Sequence, residues 1–167
     1  MRSMEKGIAA GVVLLLVAGC QTTGSSAQGA GGAANSTAST MTPAHEVVPL
    51  PDDATVTPPD SSVPAGMAAF SGTWSGRWNG NELPHVLVVQ RVEPSGAARI
   101  VYAYSAYSPW NISKPQAWRH VAQIDGPKLK ATLGNGAEVT YWREGEKLKG
   151  EYLRDGRITP ITMEQFS

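Results

Sequence analysis

The C-terminal part of the sequence is predicted to be all-β, a small antiparallel up-and-down barrel of about eight strands. Two observations support this prediction. Short β-prone runs alternate with turn residues at spacings of about 10 residues, which is typical of all-β domains. In addition, every tryptophan, tyrosine and phenylalanine lies at or after Phe70. The folded domain is therefore expected to span 68–167.

The predicted strands are separated by turns that contain glycine or asparagine, residues that tolerate positive φ. The connections between the last five strands are as short as hairpins, which favours antiparallel neighbours in sequence order. One connection, 106–117, is long. The predicted strands are Gly72–Trp78, Pro84–Val92, Ala97–Ser105, Trp118–Ile124, Lys128–Leu133, Ala137–Arg143, Lys147–Arg154 and Arg157–Glu164.

Alternation along the strands predicts which side chains face the core. Leu148, Gly150 and Tyr152 share one face of their strand, and charged residues occupy the other. Trp74 and Trp78 share the inner face of the first strand in the same way. The large rings expected in the core first of all are Trp74, Trp78, Tyr102, Tyr141 and Tyr152.

The segment Phe70-Ser71-Gly72-Thr73-Trp74 resembles the Gly-x-Trp opening of the lipocalins and other calycins. The resemblance implies a lipocalin-like barrel in which the tryptophan plugs one end. The arginine that usually follows the last strand in this family is absent, and Arg154 or Arg157 would have to substitute for it.

The N-terminus has the features of a secretory signal peptide, predicted over 1–19. Arg2 and Lys6 precede a short apolar run that ends in small residues, too short to span a membrane. The segment Leu16-Val17-Ala18-Gly19-Cys20 resembles the lipobox of bacterial lipoproteins. This resemblance implies cleavage before Cys20, lipid (diacylglyceryl and a fatty acid such as palmitate) on that residue, and, with Gln21 next, the periplasmic face of the outer membrane.

Residues 20–67 are predicted to be a lipid-anchored, disordered linker. The segment is rich in Gly, Ala, Ser and Thr, then in Pro, and contains no aromatic residue. Such a composition offers too little apolar surface to build a core.

The composition also limits the chemistry that is expected. The formal net charge is zero, which gives no indication of nucleic-acid binding, and the single cysteine excludes an internal disulfide. His85 and His120 lie on different predicted strands with no acidic cluster beside them, so no metal site is expected. Ser75 does not fit a nucleophile elbow because no helix follows it. We expect no enzyme, no cofactor and a monomer.

The long connection is the best candidate for a ligand site, because long loops in compact domains are often functional and a barrel mouth commonly binds ligands. Two functions stay open: a module that binds a small apolar or amphipathic ligand, or a structural lipoprotein that docks an envelope protein or assists an enzyme. A filled barrel interior would exclude the first. The candidate binding residues are Tyr104, Tyr107, Trp110, Trp118, Arg119 and His120.

Overall fold

The computed structural model describes residues 41–167, which form a closed eight-stranded antiparallel barrel in simple sequence order. The predicted fold class is therefore confirmed. Strand β1 pairs with β8 and closes the sheet, from Thr73 opposite Phe166 to Trp78 opposite Ile161. Cys20, the predicted signal peptide and the first half of the predicted linker lie outside the described residues. The strands are β1 Gly72–Trp78, β2 Pro84–Val92, β3 Ala97–Tyr104, β4 Gln116–Asp125, β5 Lys128–Thr132, β6 Glu138–Glu144, β7 Lys147–Arg154 and β8 Arg157–Phe166.

Strands β1, β2 and β7 have the predicted bounds, and the other five differ by one or two residues at one or both ends. The differences follow from pairing. Strand β8 reaches Phe166 because this residue pairs with Thr73. Strand β4 starts at Gln116 because this residue pairs with Tyr104 of β3.

Trp74 plugs one end of the barrel, as the lipocalin resemblance implies. Its side chain is fully buried, and its indole Nε1 donates a hydrogen bond to the Phe70 carbonyl at 2.9 Å. The guanidinium of Arg143, on β6, lies over the Trp74 ring. The expectation that Arg154 or Arg157 substitutes for the arginine of the lipocalins is wrong. Both residues lie in the β7–β8 hairpin, at the end of the barrel opposite Trp74.

The middle of the barrel is filled by side chains. Leu87, Tyr141, Leu148 and Met163 are all fully buried, as the alternation pattern predicts for Tyr141 and Leu148. Gly150 faces the same interior. A larger residue would not fit at this position, because a Cβ there would lie 2.5 Å from Cδ1 of Tyr141. No room for a ligand remains at this level.

Residues 41–63, hereafter the strap, run along the outside of the barrel, and Val63 at their end packs in the core cluster that includes Phe70 and Trp74. The strap includes one short helix, α1, at Ala44–Val47. A second short helix, α2, at Ala65–Ala68, follows the strap and leads into β1. Val48 is only 4% exposed because it packs, with partly buried Leu50, on an outward-facing apolar patch of β2 and β3. That patch consists of Val86, Val88, Val101 and Ala103.

Polar contacts hold the strap as well. The Gln90 side-chain amide donates to the carbonyl of Asp53 at 2.9 Å, and the Thr57 amide donates to the Gln90 carbonyl at 2.7 Å. The described half of the predicted disordered linker is therefore folded against the barrel. Its few apolar residues suffice because the barrel, and not the strap itself, provides the surface on which they are buried. Within residues 41–167, no helix is long and apolar enough to cross a membrane.

Strand β4 is unevenly paired, and this shapes the barrel mouth. It pairs with β3 over most of its length, from Gln116 to Gln123. With β5 it pairs only over Gln123–Asp125, near the plugged end. The half of β4 near the mouth therefore borders no second strand, which leaves Trp118 partly exposed beside the opening.

Candidate functional site

A cavity of about 310 Å³ opens at the end of the barrel opposite Trp74. It lies above the filled middle layer, among the ends of the strands and the loops that join them. Ligand cavities in proteins start at about this size. Its lining is mainly aromatic and aliphatic: Trp78, Leu83, Tyr102, Tyr104, Trp110, Ile112, Trp118, Leu133, Asn135, Tyr152, Arg154 and Thr159.

The β3–β4 connection forms one wall of this cavity and has a defined structure. Tyr107 and Ile112 form a β-bridge, with backbone hydrogen bonds of 2.8 and 3.1 Å in the two directions. Between them, a 3₁₀ turn at Ser108–Trp110 ends at Asn111, which takes the left-handed conformation at φ 57°. This small closed loop presents Trp110 at the rim, 37% exposed, with the Tyr107 ring against its edge at 6.0 Å.

Aromatic rings connect the rim to the floor of the cavity. Trp118 meets Tyr104 edge to face at 5.5 Å, and Tyr104 meets Tyr102 at 6.1 Å. Tyr102 in turn lies 4.2 Å from the buried ring of His85. Opposite them, Trp78 packs against Tyr152 at 6.0 Å. These rings give the cavity flat apolar walls, against which a planar group or a hydrocarbon chain can pack.

His85 supports the floor from below as a neutral imidazole. Burial lowers the pKa of His85 to about 3, against a smaller opposing effect of the Ala103 carbonyl. The neutral ring has one N–H, and its hydrogen bonds fix which nitrogen carries it. Nδ1 donates to the Ala103 carbonyl at 2.8 Å, and Nε2 accepts from the Tyr141 hydroxyl at 3.0 Å. Both nitrogens are therefore occupied within the protein.

Tyr102 and Tyr104 are neutral hydroxyls at physiological pH. Burial raises the pKa of Tyr102 and, to a lesser degree, of Tyr104. The Trp78 indole lies close enough to the Tyr102 hydroxyl to oppose this rise slightly, but its Nε1 makes no hydrogen bond of normal geometry. At the rim, Asn135 donates to the Tyr152 hydroxyl at 3.0 Å. The lining contains one cation, Arg154, and no carboxylate.

Three of the six predicted binding residues, Tyr104, Trp110 and Trp118, line the cavity. Tyr107 supports Trp110 from the side without lining the cavity.

The two basic candidates lie elsewhere. Arg119 points to the outside of the barrel, where it forms an exposed ion pair with Asp53 of the strap. Alternation explains this placement, since Arg119 follows the cavity-lining Trp118 on a strand. His120 pairs with Ile100 further down β4 and does not line the cavity, and its Nε2 is buried without a hydrogen-bond partner.

Several lining residues are predicted from the sequence for the core only. Trp78, Tyr102 and Tyr152 belong to this group, and the first two are almost fully buried. Their positions in the strands could have identified them as lining residues. A residue that faces inward at the mouth end of a strand borders any space that the core leaves open there. Leu133 and Thr159 occupy such positions on other strands. How much space remains depends on how the rings pack, which alternation does not specify.

Across residues 41–167, no group of three histidine, cysteine or acidic side chains stands close enough to hold a metal ion.

Comparisons with known proteins add little to this geometry. No protein-family model matches the sequence, and no curated protein matches it. Among solved structures, the chain is similar to one described as the de novo design of a fluorescence-activating β-barrel. That match has 18% identity and a TM-score of 0.46, and it covers 62% of this chain and 100% of the designed one.

Proposed function

We propose that this protein is a membrane-anchored envelope lipoprotein whose barrel binds a small apolar or amphipathic ligand in the mouth cavity. The observation that supports binding is the contrast between the two ends of the barrel. One end is closed by Trp74, and the middle is packed with buried side chains, whereas the other end holds an open cavity of about 310 Å³ with an aromatic lining. A barrel with a purely structural task has no need of such a cavity.

The lining indicates the chemistry of the ligand. Trp110 and Trp118 are partly exposed at the rim, and Leu83, Ile112 and Leu133 supply aliphatic surface. A ligand that covers these groups removes apolar surface from water, which contributes about 25 cal/mol per Å². Because Arg154 is the only charged residue of the lining, a neutral or anionic ligand fits better than a cation.

Filling the cavity tests the proposal. Thr159 is an inward residue of β8 that lines the cavity, and Thr162 of the same strand is exposed on the outside. Thr159→Trp therefore blocks the cavity, and Thr162→Trp is a matched control that adds the same ring outside.

The measurement is native mass spectrometry of the full chain, released from the envelope of its own cell in mild detergent. We expect a small-molecule adduct on the wild type that dissociates on collisional activation, unlike covalent lipid. The adduct should persist on Thr162→Trp and be lost from Thr159→Trp. A folded wild-type protein without any adduct, or equal adducts on all three proteins, would contradict binding in the mouth cavity.

The anchor is tested separately at Cys20. We expect a mass increase at this residue that corresponds to a diacylglyceryl group, with or without a further acyl chain, since two or three acyl chains are needed for lasting attachment. Cys20→Ser should lack that mass. A wild-type protein whose Cys20 carries no acyl mass would rule out the lipid anchor and leave the ligand site unaffected.

A further inference from the structure

Exposed apolar side chains are concentrated at the mouth end of the barrel. Within residues 41–167, eight large hydrophobic side chains are exposed, and four of them lie around the opening: Trp110, Trp118, Leu153 and Ile158. The turns at the closed end, 93–96, 126–127 and 145–146, contain none of the eight. Apolar surface gathered in this way marks a contact with another protein or with a membrane. The other four are Met41, Val47 and Val56 of the strap and Val121 on the side of the barrel.

The β7–β8 hairpin forms one side of this apolar rim. Leu153 and Ile158 face each other across the two strands, on the outward face, and are 38% and 60% exposed. Next to them, Arg154 and Arg157 form the last pair before the turn. Like charges directly opposite each other destabilise a sheet, and the one carboxylate bonded to this pair is that of Asp155, at 3.4 Å from Arg154. The tip therefore combines apolar side chains with guanidinium groups that can still bind anions.

The two tryptophans form the other side of the rim. Trp110 and Trp118 belong to the β3–β4 connection and to β4, which lie across the barrel from β7 and β8. Partly exposed tryptophan is typical of membrane interfaces, where the ring meets hydrocarbon and the indole N–H stays near water. Lys114, in the same connection, is exposed as well. Both sides of the opening thus carry apolar groups with cations beside them.

The strap joins the barrel at the same end. The Thr42 carbonyl accepts a hydrogen bond from the Arg77 guanidinium at 2.8 Å, and the first residues of the strap share a groove with Gly80 of the β1–β2 turn. Residues 21–40 connect this point to Cys20. The part of the chain proposed to carry lipid therefore leads to the mouth end and not to the closed end.

From this asymmetry we infer that the mouth end of the barrel is a docking face for a lipid bilayer. The apolar rim enters the interface, while the guanidinium groups of Arg154 and Arg157 contact headgroup phosphates, as cationic side chains do at the edge of an apolar contact. Because Glu82 and Glu138 also lie at this end, the apolar side chains and not the net charge supply most of the binding. The inference goes beyond the proposed function, since it requires neither lipid on Cys20 nor a ligand in the cavity.

A fluorescent label at each end of the barrel tests the orientation. Exposed serines offer a matched pair: Ser113 in the β3–β4 connection at the mouth, and Ser95 in the β2–β3 turn at the closed end. Each is changed to cysteine in the full chain with Cys20→Ser, so that one thiol carries a nitrobenzoxadiazole label. The labelled proteins are mixed with vesicles of phosphatidylcholine and phosphatidylglycerol, and the emission of the vesicle-bound fraction is compared with that in buffer. The apolar run within residues 1–19 is common to all of these proteins, so a difference between labels reports the barrel.

We expect the emission of the Ser113→Cys label to rise severalfold on the vesicles and that of the Ser95→Cys label to stay as in buffer. Ile158→Asp, added to the Ser113→Cys protein, should reduce the rise severalfold because it places a carboxylate in the interface. Val121→Asp is the matched control, since Val121 is also an outward strand residue and is 74% exposed, but on the side of the barrel. It should leave the rise unchanged.

The outcomes separate this inference from the proposed function. Equal responses of the two labels, no response at Ser113→Cys, or equal effects of Ile158→Asp and Val121→Asp would overturn the docking face. So would a Ser113→Cys signal that ignores vesicles and rises with protein concentration, which would indicate a second copy of the chain at the rim. Thr159→Trp fills the cavity without changing the outward side chains, so it should dock like the wild type. Loss of the adduct in that variant, with docking retained, would support two separate activities of the mouth end.

Discussion

The guanidinium carbon of Arg143 lies 4.7 Å from the centroid of the Trp74 ring, at the closed end of the barrel. The same side chain donates to the Ala69 carbonyl at 2.9 Å and to the Gly145 carbonyl at 3.0 Å. One arginine thus joins the β6–β7 turn, the segment before β1 and the tryptophan that plugs the barrel. Strands distant in sequence are fastened to one another at this point.

We expect Arg143→Ala to lower the free energy of unfolding by about 1–3 kcal/mol, through the loss of a cation–π contact and two charge-assisted hydrogen bonds. Arg154→Ala at the opposite end serves as the control and should change stability by less than about 1 kcal/mol, since its ion pair with Asp155 is exposed. Urea unfolding followed by circular dichroism measures both. Equal losses for the two variants would contradict the role assigned to Arg143.

The strap gives a second prediction, because adjacent valines differ in burial. Val48 is 4% exposed on the patch of β2 and β3, whereas Val47 is 38% exposed. Val48→Asp should lower the free energy of unfolding by about 1–3 kcal/mol, because the carboxylate would lose water at an apolar contact. Val47→Asp should stay within about 0.5 kcal/mol of the wild type.

Two further results would complete this test. Val48→Asp should raise the rate of limited proteolysis within residues 41–63 and leave the strands protected. Arg119→Ala should do neither, as its ion pair with Asp53 is exposed. A Val48→Asp protein as stable and as resistant as Val47→Asp would mean that the strap adds nothing to the fold.

The strand order and the inward faces could be predicted from sequence because each depends on local pattern. Glycine turns set the hairpins, and alternation placed Trp74 and Leu148 inside, where they are found. The strap could not be predicted in this way. Its sequence resembles a linker because its binding surface, the outward valines of β2 and β3, belongs to other segments. Local composition does not show what a segment packs against.

The candidate site was predicted in part for a similar reason. The length of the β3–β4 connection predicts a site at the barrel mouth, and Trp110 and Trp118 do line the cavity there. Arg119 was included because it is next to Trp118 in sequence, but neighbours on a strand point to opposite faces. Tyr152 and Thr159 were not included because β7 and β8 reach the mouth only when the barrel closes.

The buried His85 predicts a specific loss of stability in acid. In the folded protein its pKa is lowered to about 3 by burial, whereas the unfolded chain has the ordinary value near 6.5. Between these values the unfolded state binds the extra proton, so stability falls as the pH falls, by about 1.4 kcal/mol per pH unit below ~6. Urea unfolding at pH 7 and pH 5 should therefore show a loss of about 2 kcal/mol from this residue.

His85→Gln is the control for that measurement, since an amide can donate to the Ala103 carbonyl and accept from the Tyr141 hydroxyl without titrating. The variant is expected to be less stable at pH 7 but to lose less on acidification. Titrating groups other than His85 contribute equally to both proteins, so the difference between them isolates His85. The same loss in both would show that His85 does not determine the acid sensitivity.

Trp74 and Trp110 occupy opposite ends of the barrel, and substitution by alanine should separate structure from binding. Trp74→Ala removes a fully buried ring and should cost about 3–5 kcal/mol of stability. Trp110→Ala removes a ring that is 37% exposed at the rim, and the Tyr107–Ile112 bridge remains to hold its loop. We expect its melting temperature to change by no more than a few degrees, which corresponds to about 1 kcal/mol or less, while the fraction of protein that carries the adduct in native mass spectrometry falls severalfold. Equal losses of melting temperature in the two variants would show that Trp110 supports the fold, and an unchanged adduct fraction would remove it from the binding site.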